Sequence, residues 1–141
     1  MQLTKNFRLA ELTVTSVNAP NEPTPVEVER LRALAENILQ PLRDALGKPV
    51  IVNSAYRSPQ VNKIVGGVAT SQHSRGEAAD IRVPGMTPLQ VAHTIRDLRL
   101  PYDQLIREPT WVHVSYSNRN RRQLLTMRVV NGKATYFGGL S

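Results

Sequence analysis

The chain is expected to fold as a single α+β domain, a small antiparallel sheet flanked by helices, and three features of its 141 residues lead there. Two segments open with capping-box signatures and continue at helical spacing. Runs of strand length lie between and after them, and Asn131-Gly132 marks a hairpin turn near the C-terminal end. A chain this long can bury a sizeable core, and no linker, repeat or low-complexity stretch divides it.

Residues 1–23 read as an irregular arm that lays Phe7, Leu9 and Leu12 on the domain, with one helical turn around Leu9–Leu12. In Thr24-Pro25-Val26-Glu27 the Thr24 hydroxyl can accept from the third helical amide while Glu27 reaches back, and Pro25 lacks only a donor that the first turn does not need. Val28, Leu31, Ala35, Ile38, Leu42 and Ala45 then form one apolar stripe, and Gly47 closes the helix. Pro41 removes an amide donor inside that pattern and crowds the preceding turn, which predicts a kink or break over residues 37–40.

Residues 49–57 begin β-branched and read as a buried strand delivering Tyr56 and Arg57 at its end. Ser58-Pro59 starts a short helix that Val65-Gly66-Gly67 ends. Residues 77–83 form the next strand, with Ala79, Ile81 and Val83 on one face and Ala78, Asp80 and Arg82 on the other. The second capping box, Thr87-Pro88-Leu89-Gln90, opens a helix to about Leu98 with Val91, Ala92, Ile95 and Leu98 inward and His93 outward. Residues 102–107 and 111–116 read as strands joined by a tight turn at Glu108-Pro109-Thr110. A basic, solvated loop follows over residues 117–123, then a hairpin of residues 126–130 and 133–137.

The sequence has no cysteine, so any metal must be held by His, Asp or Glu. The N-terminal residues show no uninterrupted apolar run and no later stretch reaches the length of a membrane span. The expectation is a chain synthesised in the cytoplasm without a signal peptide, acting as a monomer and without a membrane partner. A net charge of +7 calls for an anionic partner, and nucleic acid and bacterial cell wall both qualify on charge. Nucleic acid is not expected, because no recognition motif or aromatic stacking array is present.

Chemistry concentrates in the stretch Ser71 to Asp80, where His73 and Asp80 flank a glycine turn at Gly76 and read as two legs of a zinc site. A carboxylate in a partly buried strand is unfavourable unless a cation or donors meet it, and Ala78 leaves room for one. Of the other two histidines, His113 is the better third leg. It sits in Trp111-Val112-His113-Val114-Ser115-Tyr116, whose alternation puts Trp111, His113 and Ser115 on one face. Three protein ligands leave zinc one open position, the pattern of a catalytic site, where the ion acidifies a water and polarises a carbonyl. Glu108 is the candidate general base, since facing Trp111 across the turn would make it the diagonal neighbour of His113. Asp103, further from the turn, is the second choice. Arg57 is the candidate for stabilising the oxyanion, and Ser71 and Tyr56 for binding substrate.

The pattern Ser71-x-His73-x-x-Gly76-x-Ala78-x-Asp80, followed by Trp111-Val112-His113, resembles the D-Ala-D-Ala carboxypeptidase family of zinc peptidases, which shares a fold with the hedgehog signalling domain. Ser54-Ala55-Tyr56-Arg57-Ser58 and residues 62–67 are similar to the segment before that family's metal motif, so that residues 5–117 are covered. The resemblance implies a hedgehog/DD-peptidase-like fold and zinc-dependent cleavage of peptides of bacterial peptidoglycan, by a D,D-carboxypeptidase or an L-Ala-D-Glu endopeptidase of the phage-endolysin type. By position it implies His73, Asp80 and His113 as metal ligands and Arg57 as the transition-state residue. The family's better-studied members carry their catalytic carboxylate three residues before the last histidine, where this chain has Thr110. That departure leaves a non-catalytic, zinc-bearing cell-wall-binding or virion structural module as the alternative.

Overall fold

Both capping boxes form. In the computed structural model, which describes residues 1–141, Thr24 Oγ1 accepts from Glu27 N at 3.4 Å while Glu27 Oε1 accepts from Thr24 N at 2.9 Å. The Thr87–Gln90 pair repeats this at 3.1 and 2.9 Å. These caps start α1 (Pro25–Leu34) and α4 (Pro88–Asp97). Ser58 Oγ caps α3 (Pro59–Ile64) by accepting from Val61 N at 3.2 Å. No helix is long and apolar enough to cross a membrane.

The Pro41 problem is solved without a break. The helix widens into a π turn over Ala35–Leu39 and resumes as α2 (Gln40–Leu46), with Gln40 N reaching back to Ala35 O. The Asn37 side chain donates to Ala33 O at 2.8 Å inside that widened region. A π turn shifts the hydrogen-bond register by one residue, which accommodates a proline while the backbone stays helical. The expected stripe is buried at Leu31, Ala35, Ile38 and Leu42, with Leu34 and Leu39 beside it. Ala45 is exposed instead, because the extra residue of the π turn rotates the last turn away.

The N-terminal arm is more regular than expected. Besides the 3₁₀ turn at Leu9–Leu12, Gln2–Thr4 (β1) and Phe7–Arg8 (β2) pair as a small antiparallel hairpin, which buries Leu3 and Phe7. Six further strands form one sheet: β3 (Ile51–Ser54), β4 (Ala78–Arg82), β5 (Gln104–Arg107), β6 (Val112–Ser115), β7 (Gln123–Val130) and β8 (Lys133–Gly138). Their order is β3-β4-β6-β5-β7-β8. Every pairing is antiparallel except β5 with β7, which is parallel and departs from the all-antiparallel expectation. The 117–122 loop carries the chain past the end of β5, and Gln123 N donates to Asp103 O at 2.9 Å where β7 begins. At the β7–β8 turn Asn131 and Gly132 both take positive φ, as a two-residue hairpin requires.

Strand alternation divides the sheet into two faces. Ala79, Ile81, Leu105, Val112 and Val114 join the helices in one cluster of 22 buried residues. Val91, Ala92 and Ile95 of α4 belong to it, whereas Leu98, expected inward, is 42 % exposed just beyond the helix end. Asp80, His113 and Glu108 alternate with the core residues and so occupy the opposite face. A slip of one residue in any of these strands would exchange the two sets.

Candidate metal centre

His73 is held by its surroundings before any ligand is considered. It lies in a 3₁₀ turn, Gln72–Arg75, that starts at Ser71, whose hydroxyl accepts from His73 N at 3.2 Å. The turn ends at Gly76 with φ +76, and a Cβ there would stand 2.8 Å from the backbone oxygen of Glu27. Glycine is therefore required both for the left-handed backbone and for the close approach of α1. His73 is 4 % exposed and its ring Nδ1 lies 2.7 Å from Ala55 O. A carbonyl oxygen can only accept, so Nδ1 carries a proton and Nε2 is the ring atom turned toward Asp80.

Asp80 and His113 are direct cross-strand partners on β4 and β6. Asp80 Oδ1 stands 3.1 Å from His113 Nδ1 and 3.4 Å from His73 Nε2. Candidate ligand atoms of all three side chains fall within 4.8 Å of one another. Zinc bonds of about 2.0–2.1 Å at tetrahedral angles place neighbouring ligand atoms about 3.3 Å apart. The two measured separations straddle that value, and a donor set of two imidazoles and one carboxylate suits zinc. The residues therefore fit a zinc ion. Burial by itself would raise the pKa of Asp80, but hydrogen bonds from His113 and His73, and their charge, hold its carboxyl well below the usual carboxylate range.

The three side chains line an open cleft of about 650 Å³, together with Glu108, Arg57 and Ser71. Glu108 reaches the cleft because Arg107 pairs with Val112 and the turn closes through Glu108 N to Trp111 O at 3.0 Å. Its Oε2 accepts from Trp111 Nε1 at 2.8 Å. Burial and then the charge of Asp80 push the Glu108 pKa up, while His113, the Trp111 donor and Arg57 pull it back part of the way. Arg57 enters beside His73, its backbone amide donating to His73 O at 3.0 Å. Its guanidinium makes one long hydrogen bond, 3.4 Å to Asn62 Oδ1. Burial lowers its pKa, against the charges of Asp80 and Glu108.

Two expectations are corrected. Tyr56 does not line the cleft: it is 2 % exposed in the core, and burial followed by the charge of Glu27 raises its pKa to about 12. Asp103, the second choice for a base, is fully buried behind the cleft, where Arg121 and Gln72 occupy both its oxygens. The same contacts revise the loop of residues 117–123. Arg121 is anchored, and Arg122 lies 5.0 Å over the Tyr102 ring, so only part of the loop is free in solvent. His93 stays outside the group that could hold a metal, and exposed Thr110 does not line the cleft.

Gln72, Arg119, Arg121 and Tyr136 also line the cleft and were not singled out from the sequence. Gln72 stands next to the motif histidine. Arg119 and Arg121 arrive on the loop before β7, which Asp103 anchors, and Tyr136 on β8, positions for which no local pattern exists.

The chain matches the family model described as Peptidase M15 over residues 5–115. It is also similar to the zinc D-Ala-D-Ala carboxypeptidase of Streptomyces albus G, with 37 % identity over 78 residues. That stretch takes in 54 % of this chain but 31 % of the relative, so the match spans less than a third of the relative's length.

Proposed function

Because the chain belongs to the peptidase M15 family, we propose that it is a zinc-dependent metallopeptidase that hydrolyses peptide bonds in the stem peptides of bacterial peptidoglycan. The observation that carries this reading is the convergence of His73, Asp80 and His113 on one side of a cleft that also holds Glu108. The relative's name supports zinc and a D-Ala-D-Ala substrate, and the net charge of +7 supports an anionic wall. One contiguous core, to which both β1 and β6 contribute, supports a single domain.

In this reading His73 Nε2, Asp80 and His113 hold zinc, which supplies acidification of a water and polarisation of the scissile carbonyl. Glu108 has one oxygen tied to Trp111 and the other free to take a proton from the attacking water. The same carboxyl returns that proton to the departing amine nitrogen. Arg57 supplies positive charge where the carbonyl oxygen becomes an oxyanion. Ser71 caps the His73 amide and lines the cleft, where its hydroxyl binds a substrate amide or carboxylate.

The test is digestion of isolated peptidoglycan by the purified protein, with and without zinc, followed by mass spectrometry of the muropeptides. The mass lost identifies the bond and separates carboxypeptidase from endopeptidase. Glu108→Gln is expected to retain zinc and lose about 10²–10⁴-fold in turnover. Muropeptides left unaltered by the zinc-loaded protein would overturn the peptidase reading and favour the non-catalytic wall-binding module.

A further inference from the structure

The family match ends at residue 115, but the cleft continues beyond it. Arg119, Arg121 and Tyr136 line the same cleft as the three candidate metal ligands. Three guanidiniums, those of Arg57, Arg119 and Arg121, stand against two carboxylates, those of Asp80 and Glu108.

These charges are not equally engaged. Asp80 is met by both histidines and Glu108 by Trp111. Arg121 spends its Nε and Nη2 donors on Asp103, the shortest contact being 2.8 Å, and on Gln72 Oε1 at 3.2 Å. Arg119 takes part in none of the chain's five salt bridges, and its backbone amide, bonded to Ser117 Oγ at 3.2 Å, makes its one hydrogen bond. The loop that carries it is nonetheless fixed. Arg121 N donates to the buried Asp103 at 2.7 Å, and Arg122 covers Tyr102. An unpaired cation on an anchored loop, at the edge of a cleft whose carboxylates are already met, is set to receive an anion from outside.

We infer that the segment following Ser115 builds a carboxylate-recognition subsite of this cleft, with Arg119 as the cation that pairs with a carboxylate of the bound peptide. The inference rests on the peptidase reading and adds to it a specificity-determining residue outside the family match. A stem peptide offers two such carboxylates, its C-terminus and the free carboxyl of its glutamate. Both present the same chemistry to a guanidinium.

The experiment uses the zinc-loaded protein and three synthetic stem peptides: the free acid, the C-terminal amide, and the form amidated at glutamate. Affinity is read by titration calorimetry and cleavage by mass spectrometry, for the parent protein, for Arg119→Gln, and for Arg96→Gln as a charge-matched control on α4. One amide is expected to bind the parent protein about three- to fivefold more weakly than the acid, the range of a solvent-accessible ion pair. That amide identifies the carboxylate. Arg119→Gln is expected to bind acid and amide alike, at the amide's affinity, and Arg96→Gln to keep the preference. Equal binding of all three peptides by the parent protein, or equal weakening of all three by Arg119→Gln, overturns the subsite. Arg119-dependent preference without cleavage leaves the subsite standing and removes the peptidase reading, cleavage without preference does the reverse, and absence of binding removes both.

Discussion

Trp111 Nε1 donates a 2.8 Å hydrogen bond to Glu108 Oε2, so the residue just before the His113 strand also fixes the carboxylate of the turn. Glu108 N to Trp111 O, at 3.0 Å, closes that turn from the backbone side. One tight turn thus places the proposed base and supplies one of the donors that favour its charged form.

Trp111→Phe keeps an aromatic ring and removes the donor. The donor favours the charged form of Glu108, so its loss raises a pKa that burial already holds above the ordinary 4.5. A hydrogen bond to a charged group is worth about 1.5–3 kcal/mol, and one pKa unit about 1.4. The acidic limb of the kcat/KM profile is therefore expected to move up by about one pH unit. An unmoved limb in the zinc-saturated variant would remove Glu108 as the base.

Arg121→Ala strips the partner from a carboxylate with 0 % exposure. Breaking a buried pair from one side costs about 3–5 kcal/mol, and the lower end applies because Arg121 itself is 31 % exposed and water can replace it. Burial would raise the Asp103 pKa, but the Arg121 and Gln72 contacts hold it well below its ordinary 3.8. A folded pKa below the unfolded one gives stability that is present above 3.8 and is lost as pH falls toward the folded value. Urea denaturation should show the full difference between parent and variant at pH 7 and a shrinking one below about pH 4. A difference that is constant with pH would show that the ion pair is not its source.

Asp80→Asn keeps size and removes charge at the oxygen shared by both histidines. Changes to residues that merely support a ligand lower metal affinity about 10–100-fold, so changing a ligand should exceed that range. Equilibrium dialysis with zinc measures it. His93→Ala should bind zinc like the parent, and a matching loss in that variant would mean that the ligand set is wrong.

Gly76→Ala meets both left-handed backbone and the Glu27 carbonyl, whereas Gly85→Ala, at φ +83 with nothing within 4 Å, meets the backbone alone. The Gly85 variant should lose about 1 kcal/mol, and the Gly76 variant about 2–3 kcal/mol together with some zinc affinity. Equal losses, measured by chemical denaturation, would show that α1 yields at the Glu27 contact.

The elements that the sequence marked correctly are those governed by neighbours a few residues apart. Thr24 with Glu27, Thr87 with Gln90, Ser58 with Val61 and Asn131 with Gly132 act over two to four positions, so chain order already contains their geometry. The same holds for the facing of β4 and β6, because alternation alone puts Asp80 and His113 opposite Ile81 and Val112 once the register is set.

By itself, then, the sequence determined which side chains were available for a metal and which way each would project from its own element, since caps, turns and strand alternation are local. Only the tertiary structure decided that Tyr56 is buried, that β7 lies parallel to β5, and that Asp103 is an ion-paired anchor for the loop that brings Arg119 to the cleft. Those outcomes depend on contacts such as Asp103 with Arg121, eighteen positions apart, and Gln72 with Arg121, forty-nine apart. Their energy comes from burial and charge pairing in the assembled core, and no periodicity in the chain encodes it.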